Sequence, residues 1–445
     1  MPTATQPTRV VFAAHAFPRG ENDLPGSFLL RLAVALEREG FEVRAVAPAA
    51  RGLPADDVLL GIPVHRYRYA PRRAETLAYT GGMHRQAASP GGAAALAGLV
   101  GAGALAVRRA GAAADLVHAH WWFPGGVQAL LAGRRPLVTT VHGTDLRLAR
   151  SRPAARAACA RVLRASAVIT TVSTWLRDEV AEFAPDCAAR AEVAPMPVDD
   201  AIFSPGAEPR DELLFVGRLD GQKGAEVAIR AAAGLRGAAA GLPLRVVGTG
   251  PLEADLRRLA AELGVAERLR WESGLTQARL ADRYRRAAAL LVPGAGEGFG
   301  LVAVEGQLSG APVVAAASGG LLDVVADAST GWTFPPGDPA ALAKVVEEVV
   351  EHPERAAEVA DAARRAAAER FSTAAAASTY AALYRKAVGA QRAERPERAR
   401  RSSDRLADAG ADLGGASSDG GAGGPGTDAE PARGTGTTGD SSRHE

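Results

Sequence analysis

Cysteine is scarce in this chain, with two thiols, Cys159 and Cys187, in 445 residues. So few exclude a disulfide-stapled scaffold and point to a reduced, cytosolic protein whose thiols are buried or half-buried rather than paired. One-sided charge is missing too. A net charge of +2 leaves no dominant basic field of the kind that holds a nucleic acid. No small-residue cleavage site follows the first apolar run, which begins after Arg9 and stops at Pro18, so that run is expected to be a buried strand and not a signal peptide. The segment Gly91 to Val107 is mostly Ala and Gly. It has too few bulky apolar side chains for a membrane span and is expected to be a packing or surface helix. Arg72, Arg73, Arg85, Arg108 and Arg109 lie near it, which makes peripheral contact with a bilayer the alternative.

Several ligand motifs are absent as well. Lys223-Gly224 lacks the preceding glycines of a phosphate-binding P-loop, no G-x-G-x-x-G follows the first strand, and the second strand does not end in an acidic residue. ATPase and dehydrogenase chemistry are therefore excluded. Neither Cys/His metal spacing nor a D-x-D pair occurs, so no metal and no cofactor is expected.

What is present is an alternation of strand-like and helical runs. Arg9 to Phe17, a helix from Ser27 to Glu39, a stop at Gly40 and Phe41 to Pro48 make a β-α-β start. Asp115 to Ala119, Leu137 to Val141, Ala167 to Val172 and Ala191 to Ala194 are further buried-strand candidates. Prolines 195, 197, 205 and 209 mark a linker. The pattern then restarts with strands at Glu212 to Val216, Leu244 to Val247, Arg268 to Glu272, Ala289 to Val292 and Pro312 to Ala316. The fold class is thus α/β with two Rossmann-like doubly wound domains, 1–200 and 210–372. A helix over 373–390 follows, and a low-complexity tail, 391–445, is expected to be disordered.

The chemistry concentrates in a few stretches. PGAGEGFGLVAVE, Pro293 to Glu305, has four glycines, an acidic residue at either end of its second half and a helix expected from Phe299. Its amides offer an anion site at a helix N-terminus. Arg218 and Lys223 follow the strand LLFV in VGRLDGQKG, where both could reach one diphosphate. Glu297 and Glu305 are not a glycosidase pair: at about 1.5 Å per residue, Glu305 lies about 9 Å or more further along the helix axis. Two hydroxyl-binding carboxylates, one for each end of a ligand, fit better. HAHWWFPGG and TVHGTD end two strands of the first half. There His142 suits a close hydrogen bond to a ligand, and Trp121 and Trp122 offer either a sugar-stacking face or core packing.

In combination, VGRLDGQKG, VVGTGPLEADL, EGFGLVAVEGQLSGAPVVAAASGG and TGWTFPPGDPAALA resemble the C-terminal half of family-4 retaining glycosyltransferases of the GT-B fold, with Glu297 and Glu305 in the spacing of that family's E-x7-E motif. LPGSFLLRLAVALEREGFEV and TVHGTD resemble its first half, and the likeness spans about residues 8 to 390. The resemblance implies two domains facing a cleft, a nucleotide-sugar donor on the second and a glycan, lipid-linked or small-molecule acceptor on the first. Arg218, Lys223, Gly26 and the amides of Phe299, Gly300 and Leu301 would hold the diphosphate. Glu305 would take the ribose, and Glu297, Gly298, Phe299 and His142 the transferred sugar, Glu297 and His142 being the catalytic pair. The loop Glu272, Ser273, Gly274, Leu275 would meet the base, and His120, Trp121 and Asp145 the acceptor. Such an enzyme retains anomeric configuration without a metal and works in the cytoplasm, or at the inner face of the membrane if its acceptor is lipid-linked. A glycan phosphorylase and a catalytically silent nucleotide-sugar-binding module are the competing readings. Pro25-Gly26-Ser27-Phe28 departs from the family's double glycine, and Met196-Pro197-Val198-Asp199 from its Asn-Gly-Val-Asp turn.

Overall fold

The computed structural model describes residues 6–391, apart from 22, 80–82, 134, 135 and 183, and residue 393. The tail expected to be disordered therefore lies outside the described residues, save for 391 and 393.

Two parallel sheets organise the chain. The first contains β1 (Thr8–Ala13), β2 (Phe41–Pro48), β3 (Asp56–Leu59), β4 (Ile62–Tyr67), β5 (Leu116–His120), β6 (Leu137–Val141), β7 (Val168–Thr171) and β8 (Ala191–Val193). Their order is β3-β4-β2-β1-β5-β6-β7-β8, with only β3 antiparallel. The second contains β9 (Glu212–Val216), β10 (Leu244–Val247), β11 (Leu269–Glu272), β12 (Ala287–Val292), β13 (Val313–Ala316) and β14 (Trp332–Phe334) in the order β11-β10-β9-β12-β13-β14. Runs such as LVTTV in β6 and VVAA in β13 are buried along their whole length. Helices cover both faces of the sheets at their centres, so the central strands read as continuous apolar runs, while β2 still alternates buried Phe41 and Val43 with exposed Glu42 and Arg44. In each sheet the winding reverses once, between β1 and β5 and between β9 and β12, and the crevice outside such a reversal is where open α/β sheets bind ligands.

Most expected strands lie within a residue or two of their observed bounds. The hairpin β3–β4 and the short edge strand β14 were not foreseen. The helix expected from Phe299 starts two residues later, at Leu301, because Gly300 takes a left-handed conformation, φ 101°, and becomes the N-cap. The apolar segment around Gly91 to Val107 is the helix Pro90–Gly111, capped by the Ser89 hydroxyl, which accepts from Gly92 N. Among the described residues it alone is long and apolar enough to cross a membrane by length and composition. It packs on the first domain so closely that a methyl at Gly98 would lie 2.0 Å from the Tyr69 carbonyl oxygen. Cys159 and Cys187 are buried and unpaired with each other.

After the helix Pro353–Phe371 the chain crosses back. Val198 N donates to Phe371 O at 3.0 Å, and Thr373 N donates to Asp200 Oδ1 at 3.2 Å. The helical stretch 373–391 then lies against the first domain. Tyr380 donates to Ala194 O at 2.9 Å, and the Tyr384 hydroxyl meets His118 Nδ1 at 2.6 Å. Both tyrosine rings are fully buried. Truncating Tyr384 to Phe leaves a sealed imidazole nitrogen without its partner, which costs about 1–3 kcal/mol. A urea melt of Tyr384→Phe is expected to show a loss of that size, and an unchanged midpoint would mean that the docking of the 373–391 stretch does not depend on this bond.

Candidate active site

Four loops at the carboxyl ends of the strands make the site: those after β5 and β6 in the first domain, and those after β9 and β12 in the second. Loop 217–224 after β9 is shaped from within, since Asp220 Oδ1 accepts from Gln222 N and Lys223 N at 3.2 and 3.3 Å. It lies flat against loop 248–252, where methyls at Gly248 and Gly250 would come within 1.9 and 2.2 Å of the Gly217 and Leu219 carbonyl oxygens. Loop 293–300 is sewn to it by Ala295 N donating to Gln222 O and by Gln222 Nε2 donating to Gly296 O. On its other side Gly320 N donates to Glu297 O at 2.8 Å, and Gly296 N donates to Ser318 Oγ at 3.1 Å.

These loops bring together residues 74 positions apart. Lys223 Nζ donates to both oxygens of Glu297, at 2.6 and 2.9 Å. The carboxylate side chain is 10% exposed and the ammonium side chain 31% exposed, so the lysine keeps a face toward the cleft. Arg218 stands at the mouth of the same loop, its Nε 3.4 Å from Asp220. Phe299 turns inward onto Phe371, ring centroids 5.2 Å apart, which anchors the start of the helix Leu301–Leu308.

Glu305 is one step deeper. Tyr284 donates to its Oε2 at 2.7 Å. Burial drives the Glu305 carboxyl up to about 7, against the opposing pull of the tyrosine and of Lys223. It therefore changes charge near neutrality. Tyr284 carries no sequence signal of its own, as its spacing from Glu305 has meaning only once two helices pack.

The first domain supplies His142, directly after β6. Its ring lies over Trp121, centroids 4.4 Å apart at 34°, and next to Phe28. Burial pulls the imidazole down to about 3 and keeps it neutral. A methyl at Gly298 would sit 2.3 Å from the His142 carbonyl oxygen, so the two domains meet backbone to backbone here. Further across, Thr174 donates through N and Oγ1 to Asp323, the N···O distance being 2.6 Å. Arg31 and Gln277 also meet across the cleft at 3.4 Å.

Several expectations are corrected by these placements. His120 is fully buried and stands behind His142, so it offers no face to an acceptor. Asp145 is also buried, and its carboxylate accepts from the amides of Trp122, His142, Gly143 and Leu146, at 2.9 to 3.2 Å. It builds the loop rather than contacting a ligand, and burial raises it to about 6. Trp122 is in the core, donating to Asp145 O. Trp121 is 8% exposed and takes φ 67°; it is the platform under His142, wedged between that ring and His15. Glu272 is occupied by Arg245 and Arg283 at 2.8 to 3.1 Å, which leaves the exposed Ser273 and Gly274 and the half-buried Leu275 to form the loop surface. Gly26 takes φ 75° and presses on Ala16 O, where a methyl would lie 1.6 Å away, so packing alone demands a glycine there. His15, Phe28, Thr174 and Asp323 were missed. Of these only His15, a histidine at the end of a buried strand, had a recognisable signal.

Residues 199–366 match the family model described as "Glycosyl transferases group 1", and residues 26–202 the one described as "Glycosyltransferase Family 4". The chain is 35% identical over 307 residues to D-inositol 3-phosphate glycosyltransferase 1 of Catenulispora acidiphila, covering 62% of this chain and 72% of that protein. Sucrose-phosphate synthase from Thermosynechococcus elongatus superposes with a TM-score of 0.72 at 21% identity, over 86% of this chain and 100% of that one. HepE of Anabaena, solved in complex with UDP and glucose, gives 0.63 at 19% identity, over 85% and 99%. At such identities the two structures share a fold with this chain, the GT-B arrangement of paired doubly wound domains.

The contact at Gly298 is open to test. Gly298→Ala forces the His142 carbonyl and loop 293–300 apart, and a displacement of this kind is expected to lower kcat/KM by about tenfold or more with little change in melting temperature. Wild-type turnover would mean that the two loops need not meet.

Proposed function

The chain belongs to the family-4, group 1 glycosyltransferases, and from that premise we propose that it moves a sugar from a nucleotide-sugar donor to an acceptor with retention of configuration and without a metal ion. The observation that carries this is the Lys223–Glu297 pair at the reversal of the second sheet, with Arg218 on the same loop as Lys223 and with Gly298, next to Glu297, against the His142 carbonyl of the first domain. Arg218 and Lys223 hold the donor diphosphate, together with the free amides at the start of the helix Leu301–Leu308. As the glycosidic bond breaks, negative charge grows on that diphosphate. Fixed cations and a helix N-terminus stabilise it, as a divalent ion does in other enzymes.

Glu297 accepts hydroxyls of the transferred sugar while its bond to Lys223 ties sugar and phosphate positions together. Glu305 accepts the ribose hydroxyls, and the loop 273–275 borders the base. His142 faces the sugar from the acceptor domain, and the departing phosphate oxygen takes the acceptor's proton. For the acceptor, a cavity of about 1000 Å³ at the same edge of the first sheet is lined by Arg51, Arg66, Arg68, Arg72 and Arg73 with Glu75 as a counter-charge. This suits an anionic small molecule or lipid-linked glycan, and the relative named above acts, by its name, on a phosphorylated inositol. A lipid-linked acceptor would bring the enzyme to a membrane face.

Glu297→Ala and Lys223→Ala are each expected to abolish turnover while leaving the protein folded, as judged by circular dichroism and product assay; full activity in either removes that residue from the site. A thermal-shift panel of UDP-, GDP- and ADP-sugars identifies the donor, because a bound ligand raises the melting temperature by mass action. Tight inorganic phosphate binding with no nucleotide binding would instead favour a phosphorylase. Donor binding alone, without turnover on any acceptor extract, would favour a silent binding module.

Glu305 predicts a pH dependence with a definite sign. Its carboxyl, raised to about 7, binds ribose as the carboxylate, so donor affinity rises with pH through neutrality and levels off above. A nucleotide sugar itself does not ionise in that interval. Titration calorimetry should show affinity falling from about pH 8 to about pH 6, and Glu305→Gln should flatten the profile. A flat wild-type profile would detach Glu305 from the ribose.

A further inference from the structure

Behind the site, His118, His120 and His142 stand in a row at the carboxyl ends of β5 and β6. His118 is held at both nitrogens, Nδ1 by the Tyr384 hydroxyl and Nε2 by the Thr140 hydroxyl, each at 2.6 Å. His120 packs against it with centroids 3.9 Å apart and the rings tilted by 43°. His120 Nδ1 lies 3.4 Å from His142 Nε2. The other nitrogen of His120, Nε2, is sealed from solvent and has no hydrogen-bond partner. Among the described residues no group of three or more His, Cys, Asp or Glu side chains is placed to hold a metal ion, so metal ligation does not account for that nitrogen.

Burial keeps both His120 and His142 neutral at pH 7, so each ring has one N–H and one lone pair. A single proton lies between them, and it belongs to one ring or the other. If His142 donated from Nε2, the proton of His120 would be left on its sealed Nε2, an orphaned buried donor. If His120 donates from Nδ1, the sealed atom is only a lone pair. Buried N–H groups without a partner are the rarer and costlier defect.

We propose that His120 is a positioning residue for His142, donating from Nδ1 to His142 Nε2 and so fixing His142 as the Nδ1–H tautomer, which presents a donor to an oxygen of the transferred sugar. Trp121 below the ring and Asp145 on the His142 amide hold its plane and backbone. Neither chooses which nitrogen carries the proton. The tautomer decides whether the sugar oxygen meets a hydrogen-bond donor or a lone pair, the same kind of control that a buried partner exerts on a catalytic imidazole elsewhere. This rests on the reading that His142 faces the sugar.

The test uses the full chain labelled with ¹⁵N-histidine, with the His142 signals assigned by their loss in His142→Gln. Long-range ¹H–¹⁵N correlation is expected to show a protonated Nδ1 and an unprotonated Nε2 for His142. His120→Asn, which keeps an amide donor near the Nδ1 position, should preserve that pattern and hold kcat within about threefold. His120→Leu should move the His142 proton toward Nε2 and lower kcat by about tenfold, with the donor KM little changed. A wild-type His142 protonated at Nε2, with the His120 N–H turned to the Phe12 ring 4.8 Å away, would overturn the proposal, as would an unaltered tautomer in His120→Leu. The wild-type spectrum decides the matter even if His120→Leu does not fold. If His142→Gln keeps full turnover while the tautomer is as expected, the sugar-facing role of His142 fails and the lock by His120 stands.

Discussion

The ion pair between Lys223 and Glu297 is the interaction around which the rest of the site is arranged. It joins the loops after two neighbouring strands, β9 and β12, through residues 74 positions apart in the chain. Parallel strands lie about 4.8 Å apart, so the loops leaving them start side by side, and a lysine reaching across closes the gap. The pair is neither dry nor free. Its carboxylate is covered and its ammonium still faces the cleft, so Coulomb attraction is gained without the full desolvation penalty of a buried pair.

That pair can form only because the loops around it approach more closely than side chains permit. Gly248 and Gly250 let loop 217–224 lie flat, Gly319 and Gly320 crowd the backbone of Glu297 and Gly298, and Gly298 itself faces the His142 carbonyl. Each glycine costs conformational entropy on folding. The cost is offset by backbone and side-chain hydrogen bonds that tie loop 293–300 to both neighbours. The resulting site is stiff around the Lys223–Glu297 pair, and preorganised cations and dipoles of this kind are what the proposed transfer calls for.

The two domains are held together in two different ways. Near the cleft the contacts include the close approach of Gly298 to the His142 carbonyl and the polar pairs of Thr174 with Asp323 and Arg31 with Gln277. Away from it, the returning helical stretch 373–391 buries Tyr380 and Tyr384 in the first domain, and Val198 meets Ser372 where the chain crosses twice. Polar contacts that water can replace are suited to opening, and a buried aromatic anchor is suited to staying closed. The same anchor reaches the site, because Tyr384 fixes His118, His118 packs against His120, and His120 touches His142.

By itself the amino-acid sequence determined the alternation of strands and helices, the two doubly wound domains and the strand-end loops that carry Arg218, Lys223, Glu297 and His142. These are local properties: apolar runs of strand length, glycines after them, and polar residues at strand ends. It could not separate residues that face the cleft from those that support it. His120, Asp145 and Trp122 stand in the same motifs as His142 and yet are buried, because which side of a strand end looks outward depends on what packs over it. Nor could it foresee Tyr284 beneath Glu305, Asp323 on Thr174, or Tyr384 behind His118, partners 21, 149 and 266 residues away. The edge hairpin β3–β4 and strand β14 escaped for a related reason, being short elements stabilised by the neighbour they join rather than by their own pattern. Sequence spacing placed the candidate residues at one edge of each sheet, and only long-range packing decided which of them face the cleft and which lie buried behind it.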